Sequence, residues 1–226
     1  MEERTVSETV QVSTRNWFPL LLLLLFASGL RVWQVSHTEV AARDSIGFIR
    51  YAWELQRQPW PDVVRRAEQH PGYPLVILAT SLSVRHFYHG PESILMQLSA
   101  QLASAIAGVL LVVPMFYLGK ELFDRRVGFW ATLLFQCLPD SSRVLADGLS
   151  EGVFLLLAAT GLLLAVRALR GGSWILFGVC GLCSGLAYLT RPEGALIAAA
   201  TGLVLLIVQM SPASRRSWPR WLWRAI

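Results

Sequence analysis

The chain has 226 residues, 54% of them hydrophobic and only 15% charged, and the apolar residues run in long blocks rather than amphipathic stripes. That composition excludes an ordinary soluble enzyme and predicts an integral membrane protein. The formal net charge of +5 does not point to nucleic acid, because the basic residues are scattered at the ends of apolar runs and along one amphipathic stretch, where lipid headgroups or a carrier phosphate account for them.

A bilayer core of about 30 Å needs roughly 20 apolar residues in a helix, and the runs here are too long and unalternating for barrel strands. The expected fold is therefore all-α and polytopic, with about six transmembrane helices. Residues 1–16 read as a cytoplasmic tail, acidic as well as basic, and 17–35 as the first span, with Trp17 and Trp33 anchoring its two ends. The length of that run and the apolar character of the rest of the chain favour a retained anchor over a signal peptide.

Residues 36–92 form a long loop. In it Asp44, Phe48, Tyr51 and Leu55 fall at i, i+4, i+7 and i+11, on one face of a helix, while Arg43, Arg50 and Arg57 recur on a neighbouring face. The pattern predicts an amphipathic helix lying in the membrane interface. Asp44, just outside the first span, reads as an active-site acid; an N-cap role is an equal alternative and compatible with it. Residues 73–88 are apolar but meet Arg85, His86 and His89, which leaves them short for a crossing. Further spans are expected at 94–118, 128–138, 152–168, 174–189 and 195–210, so that 17–210 make up the transmembrane domain. Residues 211–226, basic and aromatic, read as a second cytoplasmic tail, truncated after SWPRWLWRAI.

If 73–88 does not cross, Arg4, Arg15, Lys120, Arg125, Arg126, Arg167, Arg170, Arg215, Arg216, Arg220 and Arg224 share one side, as the positive-inside rule requires. The loop 36–92, the loop 139–151 and the turn 190–194 then share the outer face, where Asp44, Asp147, Glu151 and Arg191 can converge. Five arginines in the long loop (Arg43, Arg50, Arg57, Arg65 and Arg66) oppose the simple rule, although long loops translocate largely regardless of charge.

Each remaining polar signal has a structural reading beside its functional one. Glu151 is either functional or a cap with Ser150. Arg191, in TRPEG, either clamps a phosphate, pairs with Glu193 or snorkels to headgroups. The stripe Gln97, Gln101, Ser104 and Gly108 packs against a neighbouring helix or lines a lipid channel, and Gly181 with Gly185 makes a small-residue helix contact. Cys180 and Cys183 have CxxC spacing inside an apolar run, with only Cys137 besides, and are expected as filler rather than zinc or disulfide partners.

The ordered set of an anchor, the acid-led segment RDSIGFIRYAWEL, HPGYP, LLVVPMFYLGKELFDRRVGFWA, SRVLADGLSEGVFLLL and GLCSGLAYLTRPEG resembles the amino-terminal half of the GT-C glycosyltransferases. It is most similar to the bacterial branch related to protein mannosyltransferases, aminoarabinose transferases and RgtA/B/C/D-like enzymes. The resemblance implies an inverting transferase that moves a sugar from a polyprenyl-phosphate donor to a lipid, glycan or protein acceptor at the outer face of the cell membrane. By motif position Asp44 matches the family's first-loop acid, a base for the acceptor hydroxyl. Glu151 is the first choice for the second acid, with Asp147 the alternative. His70, before Pro71, matches the His-Pro signature that shapes the donor site, and Tyr51, Tyr73 and Arg191 complete the expected substrate-binding set. A divalent cation is the one cofactor it allows, with Asp44 and Glu151 its ligands if one is bound. Ser45 and Phe48 stand where the family often has a further acid and a tyrosine, which argues against an acid-pair or two-metal mechanism. The alternative is a non-catalytic fragment, membrane subunit or lipid-binding protein of the same superfamily.

Overall fold

The computed structural model of the protein describes residues 3–37 and 43–210. The tail 211–226, with its four arginines, lies outside the described residues, as do the side chains of Arg4 and Arg15. Among the described residues there are helices and no strand, in accord with an all-α membrane protein. Three stretches are long and apolar enough to cross a bilayer: Trp17–His37, Glu92–Leu122 and Glu151–Gly171.

Helix α1 is Glu3–His37, α5 Glu92–Leu110 and α6 Val112–Leu122, the last two forming one rod interrupted only at Leu111. Helices α7 (Arg125–Cys137), α9 (Glu151–Gly171), α10 (Trp174–Thr190) and α11 (Ala195–Met210) follow, with the short α8 (Pro139–Val144) between α7 and α9. The α5–α6 rod has 31 residues, so it is about 46 Å long, against a hydrocarbon core of about 30 Å. The rod is longer than an upright crossing requires.

Contacts along this rod set the directions of its neighbours. A Cβ on Gly152, at the start of α9, would lie 3.1 Å from the Ser104 carbonyl, whereas Arg167, near its end, meets Glu121 at 3.3 Å; α9 runs parallel to the rod. Helix α7 runs back along α6. A Cβ on Gly128 would lie 2.5 Å from the Phe116 carbonyl oxygen and one on Gly119 would lie 2.7 Å from the Gly128 Cα, so only paired glycines permit this approach. Changing Gly128 to Ala forces the backbones apart and is expected to cost on the order of 1–3 kcal/mol, read as a lower thermal midpoint in detergent.

The expected span at 128–138 is thus a helix of thirteen residues, about 20 Å long, too short to cross alone. Its start is set by Asp124, whose carboxylate accepts the Val127 amide at 2.8 Å, and its end by the extended Leu138 before Pro139. The helices expected at 174–189 and 195–210 form at those places with 17 and 16 residues.

Between α1 and α5 lie α2 (Arg43–Arg57), α3 (Trp60–Arg66) and α4 (Gly72–Val84). Helix α4 is antiparallel to the first half of α5: Tyr73 bonds to Ala100 near one end, and Arg85 meets Glu92 at 3.1 Å at the other. It packs alongside rather than extending the bundle. Helix α2 has the expected amphipathic pattern, but protein covers its apolar face. Ser45, Phe48, Tyr51, Ala52 and Leu55 are buried, and Phe48 meets Tyr73 edge to face at 5.2 Å between centroids. Its open face carries Arg50, bonded to Glu54 at 2.8 Å, and Arg57, which holds Glu92 at 2.5 Å and lies 4.1 Å over the Trp53 ring.

The end of the bundle away from α2 gathers Lys120, Arg125, Arg126, Arg167 and Arg170, with Glu121 paired to the last two at 3.3 and 3.0 Å. The small-residue contact expected of Gly181 and Gly185 is absent among the described residues: a Cβ at either would meet nothing within 4 Å. Cys180 and Cys183 are buried free thiols.

Candidate functional site

The candidate site lies where α2 and α4 and the ends of α8, α9 and α10 meet. Its first fixed point is Ser45, fully buried, whose hydroxyl donates to the Asp147 carbonyl at 2.6 Å. This bond ties the start of α2 to the loop between α8 and α9, which turns there through Gly148 at φ +69, a left-handed conformation that favours glycine. Asp44 is therefore one residue from the Asp147 backbone, in the first turn of α2, with its side chain exposed and no ion pair among the described residues.

Asp147 is buried, at 6% exposure, and its carboxylate accepts from Arg143 Nε at 3.3 Å. Glu151 opens α9, with Ser150 before it making no side-chain cap. Its Oε1 accepts from Arg191 Nη1 at 2.5 Å, while its Oε2 is buried without a partner among the described residues. Arg191 follows α10 in extended backbone and also reaches Glu193 at 3.3 Å, with its guanidinium 6.0 Å from the Phe154 ring centroid. The hydrogen bond to Glu193 raises the guanidinium's pKa against the effect of burial, and the same bond, first among its causes, pulls the Glu193 carboxyl below its usual range. Arg191 and Glu193 thereby hold each other charged.

A cleft of about 400 Å³ opens beside this pair, lined by the polar Glu151, Arg191, Glu193 and Asp140 and by the apolar Phe135 and Phe154. Such a cleft suits a ligand with a charged head and a hydrocarbon body.

His70 stands at the edge of the site, its ring 5.6 Å from that of Tyr188. The HPGYP turn brings it there, because α4 starts hard against the end of α10: a Cβ on Gly72 would lie 2.5 Å from the Leu189 carbonyl oxygen. Tyr73 is wholly buried. Its hydroxyl donates to the Ala100 carbonyl at 2.9 Å and lies 2.7 Å from the Ser104 hydroxyl, which donates to the Leu149 carbonyl at 2.8 Å. Tyr73 thus braces α4, α5 and the loop before α9 and presents no group to a ligand. Tyr51 is also buried, packed with Leu55 and with Val63 of α3, and it is not among the residues that line the Arg191 cleft.

The structure therefore brings Asp44 close to the Asp147 backbone and gathers Glu151, Arg191 and Glu193 into one cleft, with His70 and Tyr188 beside it. No group of three or more His, Cys, Asp or Glu side chains able to hold a metal ion occurs among the described residues. Of the two ligands expected if a cation is bound, Glu151 is paired to Arg191 and Asp44 belongs to no such group, so these residues do not fit a divalent cation as they stand.

Sequence reasoning passed over a polar core beneath the site. Arg31, within α1, is 2% exposed and its guanidinium donates to the Ser142 carbonyl at 3.0 Å and to the Gln136 and Gln34 side chains. Gln136 in turn donates to the Gly108 carbonyl at 3.1 Å. The available signal was an arginine inside the apolar run FASGLRVW, since an ionisable residue at membrane depth must face a polar interior.

Residues 94–224, more than half of the chain, match the family described as dolichyl-phosphate-mannose-protein mannosyltransferase. The chain belongs to this family. It is a family of GT-C-type membrane glycosyltransferases. The matched region of this mannosyltransferase-family chain begins near the start of α5 and holds Asp147, Glu151 and Arg191; Asp44, Tyr51, His70 and Tyr73 precede it. No curated protein matches the chain.

Proposed function

We propose that the chain transfers a sugar from a polyprenyl-phosphate donor to a hydroxyl of a lipid, glycan or protein acceptor at the outer face of the cell membrane. The observation that carries this reading is Arg191, held by Glu151 and Glu193 in a cleft lined by both charged and apolar side chains. A guanidinium so held is oriented for a phosphate, and the apolar wall suits the first isoprene units.

In the reaction, the Asp44 carboxylate takes the proton of the acceptor hydroxyl as its oxygen bonds to the anomeric carbon. The bond between that carbon and the phosphate oxygen breaks with inversion. The electron pair leaves with the polyprenyl phosphate, whose added negative charge Arg191 offsets. Glu151 is the positioning acid, fixing Arg191, and its second oxygen is left for a sugar hydroxyl. His70 borders the donor and Asp147 holds the loop behind Asp44.

The test uses the full chain in liposomes with a polyprenyl-phosphate sugar. Changing Arg191 to Gln is expected to raise the donor KM about tenfold or more, and Arg191 to Lys to recover part of that loss, because an ammonium keeps charge but cannot serve two carboxylates and a phosphate in a plane. A donor KM indifferent to both changes would refute the assignment. Binding of the carrier lipid without transfer would favour the non-catalytic alternative.

A further inference from the structure

A second polar pocket, which shares no lining residue with the Arg191 cleft, lies beside α2. It encloses about 420 Å³ between α2 and the α3 segment, and its polar lining is Arg50, Glu54, Arg66, Glu68, Gln69 and Tyr51. Tyr51 is 5% exposed, and its hydroxyl is shielded from solvent without a hydrogen-bond partner among the described residues. A buried hydroxyl left unmatched costs on the order of 1–3 kcal/mol, so its presence calls for a partner that arrives from outside the chain. Burial also raises its pKa, which keeps the hydroxyl a donor at neutral pH.

We propose that this pocket binds one pyranose ring of a carbohydrate acceptor, with the Tyr51 hydroxyl bonded to a sugar hydroxyl. The chemistry of the lining selects this class. Two guanidinium groups face two carboxylates, so the pocket has no net charge with which to favour a phosphate or another anion. It mixes donors with acceptors, as a ring of hydroxyls requires. Arg50 is bonded to Glu54 at 2.8 Å and Arg66 to Gln58 at 3.2 Å, which fixes the groups that meet the ligand. Val63 and Ala67 provide an apolar patch for the C–H face of the ring. Gly47 opens the wall nearest Asp44: the Gln69 amide nitrogen would lie 2.9 Å from a Cβ at that position.

Asp44, Gly47, Tyr51 and Glu54 are spaced by three, four and three residues, along one face of α2. Asp44 and Tyr51 are about 10 Å apart along the helix axis, so the pocket holds the sugar next to the one that reacts. The link to Asp44 rests on the transferase reading above; sugar binding does not, and is measured without any donor.

The experiment is saturation-transfer NMR on the full chain in detergent micelles, with methyl glucoside, methyl mannoside and methyl galactoside as probes and inorganic phosphate and a Ser/Thr-rich peptide as competitors. Saturation is expected to reach at least one methyl pyranoside, to fall at least fivefold in Tyr51→Phe, and to be unchanged in Arg126→Gln at the opposite end of the bundle. Tyr51→Phe should be at least as thermally stable as the parent chain, since it loses only an unmatched hydroxyl. Gly47→Val, which displaces Gln69, provides a second variant and should also weaken binding. No signal from any pyranoside, a signal indifferent to both variants, or displacement by phosphate or by the peptide would overturn the proposal. Sugar binding that depends on Tyr51 in a chain showing no transfer would retain the pocket and remove the transferase reading. Transfer to a glycan with an acceptor KM unaltered by Tyr51→Phe would do the reverse.

Discussion

Replacing Asp44 with Asn is expected to lower sugar transfer by at least about a hundredfold while leaving the protein folded, the range associated with loss of a general base. The stability half of this expectation follows from the position of the side chain. Asp44 is exposed in the first turn of α2 and has no ion pair among the described residues, so the change removes only a favourable interaction with the helix dipole, about 0.3–1 kcal/mol. Asn also retains the shape and a capping oxygen. The activity half follows from what Asn lacks, since an amide cannot accept the proton of the acceptor hydroxyl. Single-turnover transfer in liposomes separates the two: the donor KM should hold while the rate of the chemical step collapses. Turnover within a factor of a few of the parent chain would mean that the proton goes elsewhere and that Asp44 serves only the helix.

Hydropathy reveals the class of this fold because a bilayer imposes one requirement, that every backbone amide be bonded within an apolar rod, and long apolar runs satisfy it. It reads less well where polar groups set a helix's ends. The run 128–138 is apolar enough for a span, but Asp124 and Pro139 confine α7 to thirteen residues, and its far end is completed by Gln136 and Arg31. The face of α2 is equally plain from spacing, yet spacing cannot say what covers it. Lipid and the α4–α5 pair are both apolar, and only the tertiary structure distinguishes them. The approach of Asp44 to Asp147 depends on a bond from Ser45 to a residue 102 positions away. Tyr73 entered the expected substrate-binding set through the family resemblance; here the glycine before it lets α4 dock so closely that the tyrosine is buried. The pairing of Arg191 with both Glu151 and Glu193 joins one partner two residues away, which spacing suggests, to another forty residues away, which it does not.

Replacing Arg31 with Ala is expected to be the most destabilising single change in the chain, on the order of 3–5 kcal/mol, seen as loss of folded protein in fluorescence-detected size-exclusion chromatography. The guanidinium is the common donor to the Ser142 carbonyl and to the side chains of Gln34 and Gln136, so it joins α1, α7 and α8 beneath the candidate site. Truncation opens a cavity and leaves the Ser142 carbonyl and a buried amide oxygen without that donor, and each such loss costs about 1–3 kcal/mol where water cannot follow. Charge alone does not account for the arrangement, because the partners named here are neutral and would be satisfied by any donor of the right shape. Lysine tests this distinction. It keeps the positive charge, but its single ammonium cannot reach a carbonyl and two amides fixed around a planar fork, so Arg31→Lys should recover less than half of the lost stability. Full recovery by lysine would show that charge, not the fork, holds these helices together. Partial recovery would place Arg31 upstream of the site: the corner it fixes leads through α8 to Asp147 and Glu151, and the Lys variant should then turn over more slowly even at temperatures where it remains folded.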